Sequence, residues 1–111
     1  MAMDETRLER LAKTIGEAAF QKFIAATIAD IQVVRDRLAS TADPSLDVLH
    51  AAAHKLVGLL SQGGLVNEAA DLRMAMAHLG SSEEEGPRLV RLCDAAVSRL
   101  GAFLETRSRG T

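Results

Sequence analysis

The sequence predicts an all-α fold, an antiparallel up-down-up-down four-helix bundle with a short N-terminal helix. Apolar residues recur at three- and four-residue steps through nearly the whole chain, and strand-like alternation is absent. The two prolines, Pro44 and Pro87, both lie where helices would begin. Because no linker divides the sequence, residues 1–111 are expected to form a single domain.

The first two helices are predicted from their apolar stripes and from the glycine between them. A short helix from Asp4 to Ile15 would end at Gly16, since glycine is the usual residue just beyond a helix end. The second helix, from Glu17 to Ala39, has the clearest stripe and is expected to be the best defined. Its expected core residues include Phe20, Phe23, Ile24, Ile28, Ile31 and Leu38.

The third helix is predicted to begin with Asp43 as its N-cap and Pro44 at the first helical position. The pair Gly63-Gly64 would end it and permit a tight reversal. At 100° per residue its apolar side chains fall within an arc of about 80°. These side chains are Leu46, Leu49, Ala53, Leu56 and Leu60.

Two further helices complete the predicted bundle. The fourth is expected from Val66 to Leu79, with Gly80 as its stop, and the fifth from Pro87 to Glu105. Met74 and Met76 are expected to pack inside the bundle. Short connections favour antiparallel neighbours, so the four long helices would alternate in direction.

The composition of the chain limits the classes of partner and the cellular compartment that we expect. Hydrophobic residues make up 48% and charged residues 25% of the chain, and a net charge of -2 gives no reason to expect nucleic acid as a partner. No apolar run approaches the roughly 20 residues that span a bilayer, and no membrane partner is expected. The single Cys93 suits a reducing compartment and is expected in the core. Because the N-terminus also lacks the apolar segment of a secretory signal, we expect a cytoplasmic protein.

His54 is the candidate reactive residue. It lies on the third helix, far outside the apolar arc, so its imidazole is expected to face solvent. Gly58 follows one turn later and would leave space beside the ring. A neutral imidazole nitrogen is nucleophilic near neutral pH, since histidine ordinarily titrates at about 6.5. Such a group can accept a phosphoryl transfer that needs mainly positioning and charge neutralisation.

With these residues the sequence resembles the histidine phosphotransfer (HPt) domains of bacterial phosphorelays. The resemblance implies that His54 is a phosphoacceptor that exchanges phosphoryl groups with aspartates of receiver domains, in response regulators or a hybrid histidine kinase. It also implies a chain without kinase activity or a cofactor of its own, because the receiver supplies Mg²⁺. We expect a monomer. The matching segments are Leu8-x-x-Leu11, Ile15-Gly16-x-x-x-Phe20-x-x-Phe23-Ile24 and Ala53-His54-x-Leu56-x-Gly58, followed by Gly64.

The resemblance also assigns supporting residues. The family usually has a lysine three residues after the histidine, where this chain has Val57. Gly58 would let the receiver approach, while Lys55 and Arg73 are candidates to support the phosphoryl group electrostatically. The expected docking patch on the exposed side of the third helix comprises His50, Val57, Ser61 and Gln62.

Two alternative functions fit the same residues. The first is an HPt-like adaptor that binds a receiver but transfers phosphate poorly, because Val57 replaces the lysine. The second is a metal-binding bundle, since His50 and His54 have a spacing of four residues that allows a shared ion, with Asp47 as a third ligand.

Overall fold

The computed structural model describes residues 1–79 and 84–110, and every regular element within these ranges is an α-helix. The predicted all-α class is therefore confirmed. None of the helices in this described part is both long and apolar enough to cross a membrane. The five helices are α1 (Glu5–Ile15), α2 (Glu17–Ser40), α3 (Leu46–Gln62), α4 (Val66–Met76) and α5 (Glu85–Gly110).

The first two helices have nearly the predicted bounds because local signals define them. The carboxylate of Asp4 accepts a hydrogen bond from the backbone N–H of Arg7 at 3.1 Å and so caps α1. Gly16 separates α1 from α2 at a φ of 90°, a left-handed conformation that glycine adopts without strain. The boundary between α1 and α2 is therefore encoded at this single residue.

The start of α3 differs from the prediction. Ser45, not Asp43, is the N-cap, and its hydroxyl accepts a hydrogen bond from the backbone N–H of Val48 at 3.2 Å. Asp43 instead has a φ of 56°. Asp tolerates this left-handed conformation better than most residues, so it forms the turn that precedes the helix.

The ends of α4 and α5 also differ from the prediction. α4 stops at Met76, three residues early, and tighter turns follow in which the N–H of His78 bonds the carbonyl of Ala75 at 2.9 Å. The predicted stop, Gly80, lies outside the described residues. α5 begins at Glu85 and continues to Gly110, five residues beyond the expected end.

Helices α2 and α5 pack along each other and run in opposite directions. Near the start of α2, the ring of Phe20 meets that of Phe103 edge-on at 6.1 Å. Further along α2, Arg35 Nε donates to Asp94 Oδ1 at 3.0 Å. Residues later in α2 therefore contact residues earlier in α5, as in an antiparallel pair. This pair supplies the largest helix contact of the fold.

Contacts of Arg107 stabilise the last turns of α5. The Arg107 guanidinium lies 4.8 Å from the ring centroid of Phe20 and 5.6 Å from that of Phe103. It also pairs with the carboxylates of Glu9 on α1 and Glu17 on α2. These contacts hold the residues beyond the predicted end at Glu105 and explain why α5 is longer than predicted.

The turn between α3 and α4 lies against α1 and α5. A Cβ on Gly63 would approach Leu100 Cδ2 to 2.9 Å, so only glycine fits there without displacement of Leu100. Gly64 has a φ of 75°, and its carbonyl accepts a hydrogen bond from the N–H of Asp4 at 2.8 Å. The Gly63-Gly64 reversal predicted from sequence is thus confirmed, and α1 covers this end of the fold.

The core is aliphatic and continuous, as the low aromatic content requires. Phe20 and Cys93 are buried as predicted, while Phe23 and Met76 are partly buried at the edge of the core. Met74 is 73% exposed, so the prediction that it packs inside is wrong. Other fully buried side chains are Leu8, Ile24, Ile31, Leu56, Leu60, Leu65 and Leu100.

Helix α4 is held mainly by α3. In the described part of the chain its backbone comes close to α3 and to no other helix. Side chains of α4 and α5 line a groove of about 500 Å³ between these two helices, with Leu72 and Leu89 on opposite walls. Among the described residues, the short α4 therefore leaves this groove beside α5 uncovered.

Candidate functional site

The exposed side of α3 presents His54 to solvent, as the apolar pattern predicts. The buried arc of α3 is wider than expected, because Val57 and Leu59 join it at its two edges. At 100° per residue it spans roughly 160° and centres on Leu49. Gly58 lies opposite that centre, and His54 lies about 40° from Gly58 on the same face.

The space beside His54 is open. Among the described residues outside the adjoining backbone of α3, a Cβ built on Gly58 meets no atom within 4 Å. Within the described residues, the His54 side chain makes no hydrogen bond and no ion pair. An imidazole without a bonding partner, next to an uncovered stretch of backbone, is accessible to a large reactant from the solvent side.

The predicted supporting cations, Lys55 and Arg73, differ from Arg35 of α2 in their pairing. Lys55 and Arg73 are exposed, and neither forms an ion pair with a described residue. Arg35 of α2, in contrast, is engaged by the carboxylates of Asp94 and Asp36. Its hydrogen bond to Asp94 raises the pKa of Arg35, which keeps this charge fixed within the fold. Lys55 and Arg73 are therefore the free cations among the predicted supporting residues.

The predicted docking patch is assembled only in part. His50 and Ser61 are half-buried, and Gln62 is exposed while accepting a long hydrogen bond, 3.5 Å, from the hydroxyl of Thr27. Val57 is only 8% exposed and belongs to the core. The expectation that Val57 adds apolar contact area to a docking surface is therefore wrong, because helix packing covers it.

The alternative metal site is not assembled. Asp47 and His54 are exposed on α3 and His50 is half-buried. Within residues 1–79 and 84–110, no group of three or more His, Cys, Asp or Glu side chains is placed to hold a common ion. One face of one helix does not close a coordination sphere around a metal in this structure.

Sequence reasoning missed apolar residues on the exposed side of α2 and at the start of α3. Val33 is 51% exposed, and Leu46, predicted in the buried stripe, is 48% exposed. Val48 is 37% exposed. Val33 directly precedes the buried Val34, and that step away from the periodic stripe is the signal that could have found it.

Comparisons with known proteins add no further assignment. No protein-family model, no curated protein and no solved structure matches the chain significantly.

Proposed function

We propose that this chain is a histidine phosphotransfer protein in which His54 carries a phosphoryl group between receiver-domain aspartates. The observation that carries the proposal is an exposed imidazole, without a bonding partner among the residues that the structure describes, beside the open surface at Gly58. We further propose that α2 to α5 form the up-down-up-down bundle of such domains. The opposite directions of α2 and α5 and the reversal at Gly63-Gly64 support this topology.

The chemistry requires little from this chain. A neutral ring nitrogen of His54 attacks the phosphorus of an aspartyl phosphate in line, and a nitrogen–phosphorus bond forms. The bond from phosphorus to the aspartate oxygen breaks, and the electron pair leaves with the carboxylate. The other ring nitrogen keeps its proton. A second receiver aspartate reverses these steps and regenerates the free imidazole.

Charge neutralisation is shared with the partner. Mg²⁺ held by the receiver would neutralise the transferring phosphoryl group, so this chain needs no cofactor or kinase activity of its own. Lys55 and Arg73, which form no ion pair with a described residue, would add support. A cytoplasmic, monomeric bacterial protein would suit this role.

A second function, an adaptor that binds a receiver without efficient transfer, is favoured by one observation. The position three residues after His54 holds Val57, which is buried, so α3 offers no cation there. Loss of such a charge would slow the transfer step more than it weakens docking.

Incubation with radiolabelled, phosphorylated receiver domains separates these functions. We expect label on the protein that is stable to base, labile to acid and absent from His54→Gln. His78→Gln is the matched control, because His78 is an exposed histidine on another segment and should leave labelling unchanged. Receiver binding by calorimetry without label would support the adaptor. Label that persists in His54→Gln would refute the assignment of His54.

A further inference from the structure

A shallow apolar groove lies between α2 and α3. Its volume is about 210 Å³. Val33 and Val48, which line it, are 51% and 37% exposed, so the groove presents large aliphatic side chains at the surface. The full lining is Val33, Val34, Arg37 and Leu38 from α2 with Val48, Ala51, Ala52 and Lys55 from α3.

The charged residues that line this groove are both cations. Arg37 and Lys55 are exposed, and neither pairs with a carboxylate among the described residues. Arg35 and Arg107, in contrast, pair with carboxylates. In a chain of net charge -2, two unpaired cations around an apolar floor form a local positive surface.

The groove is continuous with the His54 face. Ala51 precedes His54 by three residues and is its neighbour on the helix surface, with about 5–6 Å between Cβ atoms. Ala51 and Lys55 both line the groove, so its α3 wall borders the open surface around His54. A partner seated over His54 would cover the groove at the same time.

We propose that this groove anchors the receiver partner, through an aliphatic side chain of the partner flanked by carboxylates. This inference rests on the proposed function. Charge complementarity selects the occupant, since an acidic rim on the partner would meet Arg37 and Lys55 while its aliphatic side chain contacts Val33 and Val48. Such contacts set which receiver docks and how fast it does so, whereas the chemistry stays at His54.

The test uses the receiver domain, among those of the source organism, that labels the wild-type protein fastest. Transfer rates are measured against receiver concentration for Val33→Glu and Arg37→Glu. Ile15→Glu and Arg10→Glu are matched controls, since Ile15 is a similarly exposed aliphatic residue and Arg10 an exposed arginine on α1. Labelling by phosphoramidate, a small donor that needs no docking surface, is measured in parallel.

We expect each groove variant to raise the half-saturating receiver concentration at least about tenfold, with a weaker salt dependence for Arg37→Glu. The controls should stay within about twofold of wild type, and phosphoramidate labelling should be unchanged in all four variants. If the receiver labels the wild type normally and the groove variants keep the wild-type half-saturating receiver concentration, the proposed role of the groove is refuted and the proposed function is not. A wild type that no receiver labels would overturn the proposed function and the groove with it.

A second copy of this chain is the competing occupant. Sedimentation of the wild type and of Val33→Glu, both without receiver, distinguishes the two cases. A monomer in both samples is expected from the proposal. A wild-type dimer that Val33→Glu dissociates would assign the groove to self-association and overturn receiver docking there.

Discussion

Substitutions at Gly58 test whether the open surface beside His54 serves docking. Gly58 lies inside α3, where glycine costs about 0.5–1 kcal/mol relative to alanine because it loses more backbone entropy on folding. A Cβ there meets nothing within 4 Å, so no steric term opposes the gain. Gly58→Ala should therefore stabilise the fold by about 0.5–1 kcal/mol. For a domain of this size the thermal midpoint should rise by about 2–6 °C.

Gly101 provides the matched control. It also lies inside a helix, α5, and a Cβ there likewise meets nothing within 4 Å. Gly101→Ala should stabilise the fold to a similar degree. Calorimetry or circular dichroism melts of both variants against wild type measure this. A lower midpoint for Gly58→Ala alone would show that the surface around Gly58 is not open as described.

Transfer assays then separate stability from docking. Gly58→Gln places a long side chain within one turn of His54, and it should slow transfer from a phosphorylated receiver at least about tenfold because the partner is displaced from in-line geometry. Gly101→Gln should leave the rate unchanged. A folded Gly58→Gln that transfers at the wild-type rate would refute the idea that a partner approaches α3 closely at this glycine.

Two further predictions concern the remainder of the fold. Arg107→Met should cost about 1–2 kcal/mol from its ring contacts with Phe20 and Phe103, measured by urea unfolding at pH 7. Arg107 also lowers the pKa of Glu17 below its ordinary 4.5, so the ion pair between them stabilises the fold above pH 4.5, and this stabilisation is lost as the pH falls through the folded-state pKa. The difference in unfolding free energy between wild type and Arg107→Met should therefore narrow from pH 5 to pH 3. A difference that stays constant over this range would contradict the pairing. Burial raises the pKa of Cys93 to about 11, so a thiol reagent at pH 8 should modify it only as fast as the protein unfolds, and rapid modification of the native protein would show that Cys93 is accessible.

Features of the fold that depend on short stretches of sequence could be predicted. Gly16 separates α1 from α2 by its own conformation. At Gly63-Gly64 the chain turns where a Cβ on Gly63 would displace Leu100 and where Gly64 has a positive φ. The start of α3 could not be predicted, because Asp43 and Ser45 are both good caps and the left-handed turn at Asp43 decides between them.

Which residues of α3 are buried depends on tertiary packing and could be predicted only in part. Its buried arc widened to include Val57 because α3 contacts α2, α4 and α5, and no periodic pattern on one helix predicts contacts on several sides. The groove beside Val33 was missed for the same reason, since its walls are far apart in sequence. The exposure of His54 could be predicted because it lies away from the buried side whichever helices cover that side.

The burial of Val57 has a consequence for the proposed transfer step. Without a cation three residues after His54, the chain contributes a nucleophile and a surface, and the neutralising charge must come from the docked partner, from Lys55 or from Arg73. Lys55 lines the groove between α2 and α3, so the contacts that seat a partner there also restrict the lysine. The groove between α2 and α3 would then both dock the partner and position the Lys55 charge that stabilises the phosphoryl group. Loss of groove contacts should therefore slow transfer more in this chain than in a domain with its own lysine beside the phosphoryl group.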